Sequence, residues 1–145
     1  MNRILVATDG SEGADRAVDY AAARARAENA ELVIANVIGG HSLPDKALQA
    51  FTHAQQTWLQ ELLASLSAET LAKARERARQ IGVDVIVLES RRGDVARALI
   101  EIAQERQATS IIVGKRGTGF VGGMLLGSVA HKLVSLSPLP VTVVP

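Results

Sequence analysis

Six glycines lie within fifteen residues of this chain, in a stretch from Gly114 to Ser128 that reads GKRGTGFVGGMLLGS. The whole chain has 12 glycines, so half of them are gathered in one segment. A glycine backbone can approach a phosphate oxygen without a Cβ in the way, and a helix that begins after the loop adds N–H groups and a favourable dipole. Lys115 and Arg116 add positive charge. The segment is a candidate anion site, with a simple tight loop as the alternative interpretation.

The spacing of these glycines differs from the common nucleotide-binding motifs. A P-loop ends in Gly-Lys-Ser or Gly-Lys-Thr, whereas this loop ends in Gly127-Ser128 and has its lysine far upstream. The pattern GxGxxG can be placed on residues 117–122, but that motif belongs after the first strand of a fold, and here it follows the fourth apolar run. The spacing that is present is G-x2-G-x9-G-S, in which the defined positions are Gly114, Gly117, Gly127 and Ser128.

A carboxylate follows the first apolar run, in the segment Thr8-Asp9-Gly10-Ser11. In open α/β sheets, ligands bind beyond the carboxyl ends of the strands, at the point where the strand order reverses. If the first and fourth strands are neighbours, Asp9 faces the glycine loop across that crevice. Asp9 could instead cap the first helix, a role for which Ser11 is also available.

Composition limits the class of protein. The 145 residues are 48% hydrophobic and 21% charged, which predicts one globular domain. A formal charge of +1 argues against nucleic-acid binding by phosphate neutralisation. The absence of cysteine excludes disulfides and thiolate sites, and the three histidines are too scattered to form a metal cluster. No apolar run approaches the ~18 residues of a membrane span, so we expect a cytosolic protein without membrane insertion.

Strand and helix patterns alternate along the whole chain. Short apolar runs predict five strands, at residues 4–7, 32–38, 83–88, 110–113 and 141–144. Helical periodicity predicts four helices. Three of them cover residues 14–29, 44–80 and 125–137, and the other, third along the chain, follows Asp94 as its N-cap. On the long second helix, Phe51 and Trp58 are expected to be core or interface residues. Five strands interleaved with four helices predict an α/β protein with a doubly wound open parallel sheet and helices on both faces.

The loop spacing, together with its surroundings, closely resembles the universal stress protein family, in its ATP-binding branch. The resemblance covers the whole chain, through the segments ILVATDGS, ANVIGG, the glycine loop and SPLPVTVVP. It implies a single universal stress protein domain over residues 1–145, with a Rossmann-like five-stranded sheet of order 3-2-1-4-5 similar to that of adenine-nucleotide α-hydrolases. It also implies ATP and Mg²⁺ as ligands.

The resemblance further implies the residues of a nucleotide site. The set is Ala7, Asp9, Val37, Val113, Gly114, Arg116, Gly117, Gly127, Ser128 and Val129. In such a site the loop glycines and Ser128 hold the triphosphate, Asp9 lies near the ribose and the metal–phosphate region, and Val37 lines the adenine pocket. Mg²⁺ is expected to be coordinated mainly by phosphates and water, so no protein metal ligand is expected. No catalytic residue is assigned.

Three functions are compatible with these residues. The leading hypothesis is a cytosolic ATP-binding stress-response or regulatory module with slow or no ATP hydrolysis, whose nucleotide state alters its conformation or its partners, among which a regulatory protein is one possibility. The first alternative is an adenylating enzyme that splits ATP between its α and β phosphates, but such enzymes place a loop of the type SGGxDS where this chain has residues 9–13, DGSEG. The second alternative is a partner-binding module without nucleotide.

The last strand, at residues 141–144, is predicted to lie at an edge of the sheet, where its backbone groups have no partner within the chain. Pairing with the same strand of a second copy would cover both edges symmetrically. We therefore expect a homodimer.

Overall fold

Strands and helices alternate along the chain as the apolar runs predict. The structure is a computed structural model that describes residues 1–39, 49–116 and 126–145. The described strands are β1 (Arg3–Ala7), β2 (Glu31–Ile38), β3 (Ile86–Arg92), β4 (Ser110–Gly114) and β5 (Val141–Val144). The described helices are α1 (Glu12–Glu28), α2 (His53–Ile81), α3 (Val95–Glu105) and α4 (Ser128–Leu136).

The five strands form one parallel sheet in the order β3-β2-β1-β4-β5, which confirms the predicted fold. β1 lies at the centre, and its Val6 pairs with Ile34 of β2 and Ile112 of β4. Apolar side chains are buried on both faces, as expected for strands that are covered by helices on each side. One face packs mainly against α1 and α2, and the other against α3 and α4. The sheet therefore divides the apolar core into two layers.

The third strand begins at Ile86 and ends at Arg92, so the predicted range of 83–88 was wrong at both ends. Val83 looks like a strand residue, but its N–H donates to the carbonyl of Ala78 (3.3 Å) and closes the end of α2, where Gly82 has a φ of +107°. The strand then continues through charged residues. Periodicity cannot distinguish a β-branched residue of a helix cap from the first residue of a strand.

The long helix is capped at Thr52 and begins at His53, whereas the predicted start was residue 44. Thr52 and Gln55 form a capping box, with each side chain bonded to the other's backbone N–H. Residues 40–48 lie outside the described part of the chain. Only the second half of α2 is buried against the sheet, and Phe51 and Trp58 are 37% and 64% exposed. They are therefore not core residues, and their role in an interface stays a prediction.

The last helix begins at Ser128, three residues later than predicted, and residues 117–125 lie outside the described part of the chain. Asn29 and Gly82 end α1 and α2 in the left-handed conformation. Among the helices of the described residues, none combines the length and the apolar character needed to cross a membrane.

Candidate functional site

The loops that follow β1 and β4 meet because these two strands are neighbours at the centre of the sheet. Their backbones are in close contact. A Cβ added to Gly114, at the end of β4, would lie 2.9 Å from the carbonyl oxygen of Gly13 in α1. A Cβ added to Gly13 would lie 2.5 Å from the carbonyl oxygen of Arg116. The first turn of α1 and the start of the glycine loop thus form one edge of the candidate site.

The end of the glycine loop is fixed by main-chain bonds on both sides. Gly127 is the N-cap of α4, and its N–H donates to the carbonyl of Lys115 (2.7 Å). The N–H of Lys115 in turn donates to the carbonyl of Val144 in β5 (2.7 Å). The N–H of Gly127 is therefore engaged within the protein. It positions the helix rather than facing a ligand.

The first turn of α4 supplies the donors that an anion needs. The first helical bond runs from the N–H of His131 to the carbonyl of Gly127 (2.9 Å). The preceding N–H groups, of Ser128, Val129 and Ala130, have no acceptor within the helix, and the helix dipole places positive potential there. Gly127 has φ −66° and ψ 160°, a conformation open to any residue, so glycine is not required there by the backbone angles. As a glycine, it has no side chain that could cover these donors.

Asp9 lies in a tight turn at the end of β1. Its Oδ1 accepts a hydrogen bond from the N–H of Ser11 (3.0 Å), and the hydroxyl of Ser11 accepts one from the N–H of Ala14 (3.2 Å). Ser11 is thus the N-cap of α1, which answers the alternative that Asp9 caps the helix directly. Gly10 has a φ of +81° and donates its N–H to the hydroxyl of Thr8 (3.2 Å). The turn presents Asp9 as an exposed carboxylate.

Four of the predicted adenosine and phosphate residues belong to the same apolar layer, on the α3–α4 side of the sheet. They are Ala7, Val37, Val113 and Val129. Val113 is 7% exposed, whereas the other three are only partly buried, at or near the carboxyl edge. Partly buried apolar side chains at that edge can contact a flat apolar ring. The same layer includes Val95 and Leu126, which the sequence analysis did not identify. Val95 could have been identified from the sequence, because it directly follows Asp94, the predicted N-cap of α3.

An ion pair joins the N-cap residue of α3 to the middle of α4. Lys132 Nζ lies 2.7 Å from Oδ1 of Asp94, and Oδ2 of Asp94 accepts the N–H of Arg97 (3.1 Å). The bond from Lys132 and then the bond from the Arg97 backbone lower the pKa of Asp94 below its usual value. Asp94 is the predicted N-cap of α3, and this is confirmed.

On the opposite side of the sheet, a cavity of about 540 Å³ lies between the β1–α1 turn and α2. Asp9 and Gly10 contribute to its wall together with charged residues of α2. These charges are paired: Arg77 donates to Asp19 (2.6 and 2.8 Å), and Lys73 lies 3.1 Å from Glu69. Within the described ranges, no three His, Asp or Glu side chains form a group that could hold a metal ion.

The predicted site residues are thus spread over several parts of the carboxyl edge of the sheet. Gly114 lies at the contact between β4 and α1, and Gly127 and Ser128 lie at the start of α4. Arg116 is exposed at the start of the glycine loop. Gly117 lies outside the described residues. The apolar residues occupy the α3–α4 layer, and Asp9 borders the cavity on the α1–α2 side.

Comparisons with known proteins agree with this fold. The family model described as the universal stress protein family matches residues 1–145. The universal stress protein YxiE of Bacillus subtilis is 32% identical over 147 residues, with 99% of each chain covered. A universal stress protein solved in complex with cAMP is 31% identical and has a TM-score of 0.69, with 99% of this chain and 95% of that chain covered.

The universal stress protein UspA of Lactobacillus plantarum superimposes with a TM-score of 0.82 at 24% identity, over 99% of this chain and 97% of that chain. At this identity the likeness supports the fold alone. The match of the family model to the whole sequence and the identity to YxiE go further. This chain belongs to the universal stress protein family.

Proposed function

We propose that this universal stress protein binds ATP at the carboxyl edge of the sheet and acts as a nucleotide-dependent regulatory module. The observation that carries the proposal is the start of α4. Its first-turn N–H groups have no acceptor within the helix, and the N-cap residue Gly127 has no side chain that could cover them. Val129 and Val37 belong to the apolar layer on the α3–α4 side of the sheet, and both are partly buried and suited to contact an adenine ring. The relative solved with cAMP supports an adenine nucleotide as the class of ligand.

Within this proposal each predicted residue has a role. Ser128 binds phosphate through its N–H and hydroxyl, and Arg116 and Gly117 bind phosphate from the loop. Asp9 contacts the ribose and the metal–phosphate region. Because the described residues offer no cluster of carboxylates, Mg²⁺ takes its ligands chiefly from phosphate oxygens and water.

Slow or absent hydrolysis is part of the proposal. Transfer of a phosphoryl group needs a positioned base or water-orienting residue and charge that stabilises the transferred group. Asp9, Lys115 and Arg116 are the obvious candidates near the site, and Asp9 Oδ1 already accepts the N–H of Ser11. The protein is therefore proposed to change partners or conformation with its nucleotide state.

The adenylating alternative would place the phosphates at the loop after β1. In the structure, the carbonyl oxygen of Arg116 occupies the side of Gly13 where a side chain would stand, and a Cβ added to Gly13 would lie only 2.5 Å from that oxygen. A phosphate therefore has no room there. The turn residues Thr8 and Ser11 also bond to neighbouring main-chain N–H groups. These contacts favour the start of α4. Release of AMP and pyrophosphate from ATP would support the alternative.

The test is a calorimetric titration of the purified protein with MgATP, compared between the wild type and Gly127→Val. The backbone angles of Gly127 admit valine, so the substitution places a branched side chain over the first-turn N–H groups without strain at that residue. We expect at least about a tenfold loss of affinity. Ser135→Val adds the same side chain to an exposed position of α4 and should bind as the wild type does. Equal affinity in all three proteins contradicts the proposed site.

We further propose a homodimer formed through β5, because the two edges of the sheet differ in character. The edge strand β3 carries charge: Arg91 lies 2.6 Å from Glu105, and Arg106 lies 2.7 Å from Glu89. Charged side chains discourage pairing between sheet edges. β5 consists of valines and a threonine, all partly buried. An isologous contact between two β5 strands would cover both apolar edges.

A further inference from the structure

A chain of hydrogen-bonded polar side chains runs through the layer between the sheet and α2. The amide Nδ2 of Asn36 donates to the carbonyl of Thr8 (2.8 Å). The hydroxyl of Ser67 donates to Oδ1 of Asn36 (2.6 Å) and lies 2.8 Å from the hydroxyl of Ser90. Thr8 and Ser67 are only 5% and 3% exposed. The chain links α2, β3 and β2 to the end of β1.

The direction of these bonds follows from what each atom can donate. The carbonyl of Thr8 accepts only, so the amide nitrogen of Asn36 must face it and the amide oxygen must face Ser67. Ser67 then uses its single hydrogen on Asn36. The bond between the two serines must therefore be donated by Ser90. Every bond of the chain points toward the Thr8 carbonyl, and such aligned bonds strengthen one another.

These hydrogen-bonded polar side chains lie in a layer whose other residues are mostly aliphatic. On the same face of β2, the residues two and four positions before Asn36 are Ile34 and Leu32, both fully buried. A buried polar group costs free energy unless it is paired. The pattern changes from apolar to polar only at the carboxyl edge, next to the turn that carries Asp9.

We propose that Asn36 is a positioning residue of the nucleotide site and acts through Asp9. The Thr8 carbonyl belongs to the planar peptide that joins Thr8 to Asp9, so a bond to that oxygen fixes the orientation of the whole peptide plane. The N–H of Thr8 is held as well, by the carbonyl of Ala35 (2.9 Å). With both ends of Thr8 fixed, the direction in which the chain enters Asp9 is set. Asn36 thereby sets where the carboxylate meets a ribose.

The inference rests on the proposed function, and a double-mutant cycle tests it. MgATP affinity is measured by calorimetry for the wild type, Asn36→Leu, Asp9→Ala and the double variant, with chemical denaturation of each. We expect Asn36→Leu to lose about tenfold in affinity while remaining folded, and to have little further effect once Asp9 is replaced. If Asn36 had a merely structural role, the loss of MgATP affinity in the double variant would be the product of the losses in the two single variants.

The control is Ser90→Ala, which removes the exposed end of the chain and should bind within about twofold of the wild type. If Asn36→Leu does not fold, Ser67→Ala takes its place in the cycle, with an expected loss of about threefold, because the amide then loses the bond that holds it. Unchanged affinity in the Asn36 or Ser67 variant, or multiplying losses, overturns the inference alone. Failure of the wild type to bind MgATP overturns the proposed function and the role of Asn36 with it.

Discussion

Gly13 of α1 and Gly114 of β4 pack backbone against backbone, with only 2.9 Å between the carbonyl oxygen of Gly13 and the position that a Cβ on Gly114 would occupy. Gly114 was predicted to be a phosphate-binding residue because it begins the glycine motif. Its glycine identity is explained by this contact, since any larger residue would push α1 away from β4. A substitution at Gly114 therefore reports on packing as well as on ligand binding, and Gly127 is the better probe of the site.

Gly13→Ala should destabilise the protein, by about 1–3 kcal/mol, because the added Cβ meets the carbonyl oxygen of Arg116 at 2.5 Å. The predicted destabilisation is opposite to the usual effect, since replacing a helical glycine by alanine ordinarily stabilises a helix by roughly 0.5–1 kcal/mol. The measurement is the free energy of unfolding from chemical denaturation. Glu12→Ala, at an exposed position of the same turn, is the control and should change little. A stabilised Gly13→Ala variant would contradict the close contact.

Val143→Pro should shift the protein from dimer to monomer while leaving the sheet intact. The carbonyl of Pro140 accepts the N–H of Ile111 in β4 (3.0 Å), and the carbonyl of Val144 accepts the N–H of Lys115, directly after β4 (2.7 Å). Because successive strand residues point their backbone groups to opposite sides, Thr142 also faces β4, whereas Val141 and Val143 face the open edge. Proline at Val143 removes a donor from that open edge only. The measurement is the molar mass from light scattering as a function of concentration.

The matched control for this strand is Thr142→Pro. It removes a donor that faces β4, so it should lower the free energy of unfolding more than Val143→Pro, which loses the packing of the valine side chain but no bond to β4. A wild-type protein that is monomeric at all accessible concentrations contradicts the proposed dimer.

Lys132→Met should lower stability at neutral pH and have no effect in acid. The pKa of Asp94 is lowered in the folded state, first by Lys132 and then by the Arg97 backbone. A depressed carboxyl pKa contributes stability above the unfolded value of 3.8, and the contribution is lost as the pH falls through the folded value. Both side chains of the pair are about two-fifths exposed, so the effect should be less than about 1 kcal/mol.

The measurement for this pair is the denaturation midpoint of the wild type and Lys132→Met between neutral pH and pH values well below 3.8. The two curves should converge in acid. Asp94→Asn is a useful companion, because asparagine retains the capping acceptor for Arg97 and loses only the charge. A difference that persists unchanged in acid would show that Lys132 acts through packing.

The fluorescence of Trp58 should show that this side chain of α2 is exposed to solvent. It is the only tryptophan in the chain and is 64% exposed, so its fluorescence in dilute protein should resemble that of free tryptophan and should be readily quenched by iodide. Trp58→Ser should leave the free energy of unfolding within about 0.5 kcal/mol of the wild type, as expected for an exposed position. Strong protection from iodide that persists on dilution would show that the side chain is buried within the monomer.

The apolar runs were sufficient to predict an open parallel sheet with helices on both faces, and the family resemblance supplied the order of its strands. Continuous apolar runs such as 32–38 indicate strands buried on both faces, and the alternation with helices leaves few topologies. The sequence was not sufficient for α2. The stripe that includes Trp58 and Leu62 has helical periodicity, but only the second half of the helix is buried against the sheet, so Trp58, Leu62 and Leu66 in the first half are exposed.

Residues that act through main-chain contacts were also not predictable from sequence. Asn36 is a single polar residue in an apolar run, and the pattern cannot show that its amide faces the Thr8 carbonyl, which lies 28 positions away in the chain. Gly114 was identified by its spacing, but the carbonyl of Gly13 that requires it belongs to another element. Such contacts depend on how the folded elements meet.

Lys115 connects the glycine loop to the edge strand β5, since its N–H is bonded to the carbonyl of Val144 and its carbonyl accepts the N–H of Gly127. Lys115 is therefore bonded both to a residue of the proposed nucleotide site and to a residue of the proposed subunit contact. Thermodynamic linkage makes any communication through it reciprocal: a factor by which dimerisation tightens nucleotide binding is the same factor by which nucleotide tightens the dimer. Cellular ATP level and protein concentration would then act as two inputs on a single equilibrium.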